Sequence, residues 1–421
     1  MAKKHYDYSN GPPELEAHSK AKHEVYRAYL KRYFQKASLT PQQDRLRLTI
    51  VDGFSGCGSY RVQGQIVSGS PLICLEAARE AEFEVNQDRA KPIRFEIEFI
   101  FVEKDKDAFA MLSSTLKERG FGDEIGKSIH LKLAEFETIC NDAVTRILEK
   151  SRTGRSIFIL DQYGYAKVPF AQIRHILTAL PKAEIILTFG VDSLINYLSD
   201  SKASAQILNR LELPEIFRGR TIDDIKKSEP EWRFFMQSQL YRGLANCSGA
   251  AYDTPFFIRN TNGHGDYWLV HLSQHATARN EMTEVHWALH NHFVHYGKPG
   301  LDMFLMPGFD YQTGGSRSGQ HELFLFDSGA RERSIKALMD DLARRIHASD
   351  EGILFDALFV STCNTTPATK ELYKAALEKL AVGQREIEIV GEGGERRRSA
   401  NAIQAGDILR VTRQADFFIN R

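Results

Sequence analysis

A glycine-rich turn follows the first apolar run of the chain. The segment VDGFSGCG at 51–58 ends an apolar, β-branched stretch, where a buried strand gives way to a helix. Glycines there let the backbone pass close to a ligand, and the order Gly-x-x-Gly-x-Gly differs from the dinucleotide-binding G-x-G-x-x-G. The acid before the turn suits a cationic ligand group. The alternative is a tight turn without a ligand. The predicted cofactor-binding residues are Asp52, Gly53, Phe54, Ser55, Gly56 and Gly58.

Acidic and aromatic residues follow the next two predicted strands. Glu103 ends the strand 97–103, where a carboxylate accepts both hydroxyls of a ribose in dinucleotide-binding sheets. Its distance from the glycine turn is about twice the roughly 20 residues usual for that role, so the first crossover must be enlarged. The alternative is a solvated strand end. After the third strand, Phe136 could cover an adenine ring and Glu135 could reach its amino group, with core packing as the alternative for Phe136. Lys104 belongs to the same predicted cofactor site.

The fourth predicted strand, 156–161, ends in the sequence Asp-Gln-Tyr-Gly. Open α/β sheets bind and react at such strand ends. Asp161 is the candidate catalytic acceptor or base, and it also borders the cofactor site. Tyr163 is the second candidate catalytic residue, since its ring can stack on a planar group. Alternatively, Asp161 only caps the next helix. The candidate substrate-binding residues are Gln162, Gly164 and His264.

Alternating strand and helix patterns place these residues on an α/β fold. Five apolar runs, each followed by a helical pattern, predict a doubly wound, Rossmann-like parallel sheet. The segment 255–273 has the pattern of a hairpin and predicts an antiparallel edge. Residues 192–250 read as a helical insertion over the binding edge. After about 325, two helices and a hairpin with a glycine-rich tip predict a winged-helix domain. The expected domains are 1–45, 46–325 and 326–421.

Composition limits the classes of function. The chain has 421 residues, a formal net charge of zero and 42% hydrophobic residues, as in ordinary globular proteins. Its five cysteines form no CxxC pair, and no apolar run reaches the roughly 18 residues of a membrane span. We expect a cytoplasmic protein without a membrane segment. Seven of the 14 histidines lie between 264 and 295, but the H-E-x-x-H glutamate is missing, so no metal site is predicted.

Several motifs resemble those of the three-Cys-motif partner proteins, in the same order along nearly the whole chain. They are HSKAKHEVYRAYL at 18–30, VDGFSGCGSY at 51–60, GSPL at 69–72, FVEKD at 101–105, LDQYG at 160–164, LVHLSQHATARNEM at 269–282 and SGQHELFLF at 318–326. The resemblance implies a class I methyltransferase-like domain followed by a winged helix, with S-adenosylmethionine as cofactor. It also implies a three-cysteine iron–sulfur partner protein. The family has proline where this chain has Gln162.

Three functions remain open from the sequence. The first is methylation of a nucleic-acid base or amino group, favoured by the Asp161 and Tyr163 pair, the winged helix and a basic first helix with interleaved aromatics. In that helix the aromatics could equally pack inward while the lysines face water. The second function is methylation of a small molecule or peptide with the three-cysteine partner. The third is a non-catalytic, cofactor-sensing or nucleic-acid-binding module, favoured by Gln162. The oligomeric state is not determined by the sequence.

Overall fold

The computed structural model divides the chain into two compact units, Met1–Asn291 and His292–Arg421. This division differs from the predicted boundaries after residues 45 and 325. The predicted N-terminal region is part of the first unit, and the second unit begins before the predicted winged helix. The structure describes residues 8, 11–162, 164–213, 216–217, 219–229, 232–258, 267–291, 293–296, 299–305, 321–324 and 326–412.

A seven-stranded sheet organises the first unit, in the order β5-β4-β1-β6-β7-β9-β8. Strands β1, β4, β5, β6 and β7 are parallel, and β9 runs antiparallel to both of its neighbours. The strands of this sheet and of the small hairpin β2–β3 are β1 Arg45–Asp52, β2 Ser59–Val62, β3 Gln65–Ser68, β4 Arg94–Glu103, β5 Ile129–Leu133, β6 Ser156–Leu160, β7 Ala183–Phe189, β8 Tyr252–Ile258 and β9 Tyr267–Ser273. The predicted class I methyltransferase-like sheet and its antiparallel hairpin at one edge are confirmed, and β9 is the strand that runs opposite to the other described strands of this sheet.

Helices cover both faces of the sheet, which explains why its central strands are continuous apolar runs. Every residue of β6 and β7 is buried, as expected for parallel strands packed on both sides. Helix α1 packs on α2 and on α10, while α9 packs on α5. The helices of this unit are α1 Ala17–Ala37, α2 Ser70–Gln87, α3 Lys106–Glu118, α4 Phe136–Lys150, α5 Phe170–Ala179, α6 Val191–Tyr197, α7 Lys202–Arg210, α8 Ile222–Ser228, α9 Trp232–Ser248 and α10 Ala276–Ala288.

Two insertions interrupt the strand–helix alternation. Helices α6 to α9 form the predicted helical insertion between β7 and β8. The hairpin β2–β3 was not predicted, because its two strands have only four residues each and expose Gln65 and Ile66. It lies in the long first crossover, and the Gly69 amide closes its base by donating to the Gly58 carbonyl at 2.8 Å. The enlarged crossover therefore carries an ordered hairpin.

The second unit contains the winged helix. Its sheet has the order β12-β14-β13, and both pairings are antiparallel. The elements are α11 Ser328–His347, β12 Ile353–Leu354, α12 Phe355–Thr362, α13 Lys370–Glu378, β13 Ile387–Val390 and β14 Ile408–Val411. The wing is the segment between β13 and β14. Before α11, strand β10 Phe293–Tyr296 pairs antiparallel with β11 His321–Phe324. None of the described helices combines the length and apolar character needed to span a bilayer.

Removing the cap of helix α11 should destabilise the protein. Asp327 occupies the N-cap position, and its Oδ1 accepts from the Ala330 amide at 2.7 Å. We expect Asp327→Ala to lower the free energy of unfolding by about 1 kcal/mol in urea denaturation of the full chain. Asp340→Ala is the matched control, because Asp340 is an exposed aspartate within the same helix. Equal effects of the two substitutions would contradict the capping role.

Candidate functional site

The parallel register brings three acids to one edge of the sheet. Asp52 is level with Phe101 on β4 and with Ile159 on β6. Glu103 and Asp161 each follow those partners by two residues. Because side chains alternate with a period of two along a strand, the three carboxylates share one parity at the carboxyl edge. The predicted cofactor and catalytic acids are therefore neighbours in space.

The glycine-rich turn is held by both adjacent strands. The Gly53 amide donates to the Ile159 carbonyl and the Ser55 amide donates to the Val102 carbonyl, each at 2.9 Å. A Cβ on Gly53 would lie 2.9 Å from the side chains of Phe136 and Leu160. The turn thus needs glycine at its first position because the helix α4 side chain packs directly against it.

The two later glycines meet a different constraint. Gly56 has φ +60° and Gly58 has φ +81°, a backbone region that L-residues with a Cβ adopt at a cost. The Gly56 amide donates to Glu103 Oε2 at 2.9 Å. The positive φ angles of the turn therefore explain why glycine occupies the positions of Gly56 and Gly58.

Glu103 ties the turn to the start of helix α3. Its Oε1 accepts from the Asp105 amide at 2.8 Å, in addition to the Gly56 contact. The side chain is half-buried, and an ionised carboxylate offers about four acceptor positions. Glu103 therefore has acceptor capacity left for two ligand hydroxyls.

The two residues predicted to contact an adenine, Phe136 and Glu135, lie in different environments. Phe136 is 2% exposed, and its ring lies 6.3 Å from that of Phe54 and 6.4 Å from that of Phe158. Glu135 is exposed and pairs with exposed Lys104 at 3.2 Å. In this structure Phe136 acts as core packing beneath the turn, and Glu135 and Lys104 lie at its rim.

Asp52 is a fully buried carboxylate with one unused oxygen. Its Oδ1 accepts from the Phe54 amide at 3.1 Å, whereas Oδ2 completes no hydrogen bond with a described residue, although the Ser70 hydroxyl is close enough to act against the rise in pKa. Burial raises the pKa of Asp52 to about 7, and the charges of Asp161 and Glu103 act in the same direction. Asp52 can therefore accept a hydrogen bond or a positive charge from a ligand.

Asp161 forms a buried ion pair with Lys22 of helix α1. Both carboxylate oxygens lie 2.6 Å from Lys22 Nζ, and Lys22 is 5% exposed. Burial alone would raise the pKa of Asp161, but the Lys22 ammonium outweighs it and holds that pKa below its usual value. Helix α5 begins at Phe170 with Pro169 as its N-cap, so Asp161 is not the cap of that helix.

Further buried polar groups surround this ion pair. The Tyr26 hydroxyl and Thr188 Oγ1 complete no hydrogen bond to a described residue, although Thr188 is close enough to favour ionised Asp161. The Lys22 ammonium lies 6.0 Å from the centre of the Tyr267 ring. Burial lowers the pKa of His23 to about 4, so this imidazole is neutral near pH 7. Asp161 therefore faces aromatic and neutral groups, with Lys22 as its cation.

From the sequence, Lys22 of the basic first helix was not paired with Asp161. Tyr26 and Thr188 were missed. A signal was present in helix α1, because Lys22 lies four residues before Tyr26 on the stripe that continues through buried Tyr29. A lysine on an apolar stripe indicates a buried acidic partner.

The fourth-strand turn is closed by Gln162 itself. This side chain is 1% exposed, and its Oε1 accepts from the amides of Lys167 at 2.8 Å and Val168 at 3.1 Å. Gly164 has φ +97°, and its carbonyl accepts from the Gly190 amide at 2.8 Å. Gln162 therefore shapes the turn where the similar family has proline. Tyr163 and His264 lie outside the described residues.

The basic face of helix α1 is largely neutralised within the chain. Arg27 and Lys31 pair with acids of helix α2, and Arg32 and Lys36 pair with Glu281. Lys22 pairs with Asp161. The aromatic residues Tyr26, Tyr29 and Phe34 are fully buried, so the helix follows the packed alternative to nucleic-acid binding.

A cavity of about 630 Å³ lies at the opposite edge of the sheet, lined by the first residues of β1 and β4. Its most buried acid is Glu98, which pairs with His130, Arg146 and Lys150. The lining carries six basic and four acidic side chains, and several of them form ion pairs. Among the described residues, no group of three or more His, Cys, Asp or Glu side chains could hold a metal ion.

Comparison with known proteins supports the winged helix directly. The family model described as "GMT-like wHTH domain" matches residues 308–394. Comparison with the curated proteins gave no match.

Solved structures give weaker likenesses. Trm1 from Pyrococcus horikoshii, in complex with S-adenosyl-L-methionine, has 10% identity and TM-score 0.33, covering 97% of this chain and 94% of that one. The SAM-dependent methyltransferase from Agrobacterium tumefaciens has 11% identity and TM-score 0.31, covering 62% and 63%. Protein LPL1258 from Legionella pneumophila has 10% identity and TM-score 0.32, covering 59% and 84%. Since these scores are low, the fold assignment depends on the chain's own strand order.

The raised pKa of Asp52 should appear in the pH dependence of stability. Between about pH 4 and pH 7 the folded state keeps this proton while the unfolded chain loses it, so stability falls as pH rises. One such group contributes a slope of at most about 1.4 kcal/mol per pH unit. We expect Asp52→Asn to remove that slope in urea denaturation between pH 4 and 7.

The control for this measurement is Asp44→Asn. Asp44 precedes the other end of β1 and is exposed. The substitution Asp44→Asn should therefore leave the pH dependence of the unfolding free energy as it is in wild type. If Asp52→Asn and wild type showed the same slope, the protonated, buried state of Asp52 would be wrong.

Proposed function

We propose that this chain is an S-adenosylmethionine-dependent methyltransferase that acts on an amino group. The observation that carries the proposal is the placement of Asp161. This buried carboxylate binds an amine at the carboxyl edge of the sheet, next to the glycine-rich turn and Asp52. A fold of this class with an amine-binding carboxylate there is suited to amino-group methylation.

The residues of the turn fit the cofactor. The turn lies at the carboxyl edge of the sheet, where open α/β sheets bind their ligands, and Glu103 has acceptor capacity for the two ribose hydroxyls. Asp52 Oδ2 would accept a hydrogen bond from the α-ammonium group of the cofactor. When the cofactor is bound, its sulfonium group supplies an electrophilic methyl group. No metal enters this proposal.

The chain's own contribution is position and proton handling. Asp161 orients an amino nitrogen by accepting its hydrogen bonds and can take the proton that the nitrogen loses. Because the pKa of Asp52 is raised to about 7, Asp52 does not place a permanent second negative charge beside Asp161. The hydrogen bonds that Gln162 accepts hold the backbone after Asp161. The strand end is therefore ordered although Gln162 stands where the similar family has proline. This closure favours an active enzyme over a cofactor-sensing module.

The carrier of the amino group is proposed to be a nucleic acid, on the strength of the winged helix. The charge of the wing supports a nucleic-acid substrate less strongly, because arginines of the wing form ion pairs within the chain. Arg396 pairs with Glu388, and Arg397 pairs with Asp407 and Glu395. A small-molecule or peptide substrate, handled with a three-cysteine iron–sulfur partner, is the prediction that the family resemblance adds.

Cofactor binding should depend on Glu103. In calorimetry we expect wild type to bind S-adenosylmethionine and its demethylated product, and Glu103→Gln to bind them at least about tenfold more weakly. Hydrogen bonds to a charged group contribute about 1.5–3 kcal/mol, which corresponds to that factor or more.

Glu96→Gln is the matched control, because Glu96 lies on the same strand far from the turn and pairs with Arg45 and Arg47. It should bind like wild type. A folded wild-type protein that binds neither compound would refute the cofactor assignment. A loss shared by both variants would show that Glu103 has no specific role.

A further inference from the structure

The ion pair between Lys22 and Asp161 suggests how the substrate enters. We propose that Lys22 is an intramolecular stand-in for the substrate, that its ammonium occupies the seat of the acceptor, and that the acceptor is a primary amine that exchanges with it. We call Asp161 and the three groups near it or near Lys22 Nζ, namely Tyr26, Thr188 and Tyr267, the amine seat. This inference rests on the methyl-transfer part of the proposed function. It identifies the substrate class as a cationic primary amine, which favours the small-molecule or peptide substrate over a nucleic-acid base, whose amino groups are neutral.

The geometry of the seat is that of an amine-binding site. Both oxygens of Asp161 contact Nζ at 2.6 Å, which is charge-assisted hydrogen bonding at short range. The Tyr267 ring lies 6.0 Å from the ammonium, within reach of a cation–π interaction. Asp161 is level with Thr188 on the adjacent strand, since Leu160 pairs with Leu187. The ammonium therefore contacts Asp161 directly, with the Tyr267 ring of β9 within cation–π distance and Thr188 of β7 beside Asp161.

The seat also leaves polar groups unused. An ammonium has three donors, and the Lys22 ammonium makes its two hydrogen bonds to Asp161. The hydroxyls of Tyr26 and Thr188 are buried, Thr188 lies close to both Asp161 and Tyr26, and neither hydroxyl accepts from the Lys22 ammonium. An amine that enters from outside is free of the geometry of helix α1 and can use these groups as well.

Electrostatics restricts what can replace Lys22. The seat lies beside two acids, Asp52 and Asp161, and its neighbour His23 is neutral near pH 7. If Lys22 left without replacement, ionised Asp161 would stay buried without a counter-ion, which is strongly unfavourable. A cation is therefore required in its place, and a neutral hydroxyl or an anionic group would not compensate.

The exchange is also local in the chain. Lys22 lies five residues after the first residue of α1, and its side chain is long and flexible. The rest of the helix is fixed separately, through buried Tyr29 and Phe34 and the ion pairs with α2 and Glu281. Lys22 can therefore leave Asp161 while the helix remains docked.

The reaction balances in this arrangement. The incoming ammonium gives one proton to Asp161 and becomes a neutral amine. Its nitrogen lone pair forms the N–C bond to the methyl group as the S–C bond of the sulfonium breaks. The products are a methylated ammonium and a neutral thioether, and Asp161 releases its proton to solvent before Lys22 returns.

Chemical rescue of Lys22→Ala tests the seat. n-Propylammonium supplies the three carbons and the nitrogen that this substitution removes. We expect Lys22→Ala to lower the melting temperature of the full chain by about 5–10 °C, because a buried charge loses its partner. Millimolar n-propylammonium should restore most of the loss, whereas 1-propanol and propionate should not. Lys20→Ala, at an exposed lysine of the same helix, should show neither the loss nor the rescue.

The second readout separates this inference from the proposed function. With methyl-labelled S-adenosylmethionine, Lys22→Ala should transfer label to n-propylammonium at least tenfold faster than wild type, whose seat is filled. Rescue without transfer, in a variant that binds the cofactor by calorimetry, would overturn the acceptor seat. Equal effects of the amine on Lys22→Ala and Lys20→Ala would overturn it as well.

Failure of the proposed function gives a different pattern. If wild type binds no cofactor, that function fails, while the cofactor-free rescue still reports whether the seat selects an amine. If Lys22→Ala does not fold, its refolding yield is compared with and without n-propylammonium. A yield that rises only with the amine supports the seat, and an unchanged yield refutes it.

Discussion

The alignment of parallel strands at one edge of the sheet is the constraint on which the candidate site depends. Strands β1, β4 and β6 run in the same direction, so Asp52, Glu103 and Asp161 emerge together at their carboxyl ends. Each acid comes from a different part of the chain, separated by a helical crossover. The same constraint places Thr188 of β7 level with Asp161. The sheet therefore concentrates carboxylates that no single segment could bring together.

Such a concentration is unfavourable unless the acids differ in protonation or acquire cations. Asp52 meets this condition through burial, which raises its pKa to about 7. Asp161 meets it through Lys22, which holds its pKa low. The pKa values of these two aspartates at neighbouring strand ends are thus shifted in opposite directions by their environments. Divergent pKa values in adjacent groups are a common property of catalytic sites. Helix α1 is consequently part of the site, because it supplies the cation.

Internal ion pairing also changes what the basic residues mean. In helix α1 most of the basic residues pair with acids of α2, of α10 and of the strand end after β6, so their charge fixes the helix on the sheet. In the wing, Arg396 and Arg397 are engaged by Glu388 and Asp407. A count of basic residues therefore overstates the surface available to phosphate groups. The zero net charge of the chain is consistent with this local compensation.

The sequence by itself determined the parts of the protein that depend on local patterns. Apolar runs and helical periodicity gave the strand–helix alternation, the reversed strand and the winged helix. Gly53, Gly56 and Gly58 were recognisable because close packing and positive φ at a turn require glycine in any context. The acids at strand ends followed from the same pattern. Short, exposed strands such as β2 and β3 carry too few buried residues to show in it.

Only the tertiary structure decided which of these groups meet. Lys22 and Asp161 are separated by 139 positions, and no local pattern links them. Phe136 was expected to cover a ligand, but the approach of α4 to Gly53 makes it part of the core. Gln162 was expected to contact substrate, yet the loop after β6 folds back so that two of its amides reach the Gln162 side chain. Local propensity records what each segment prefers, whereas burial and charge pairing depend on which segments the fold brings together.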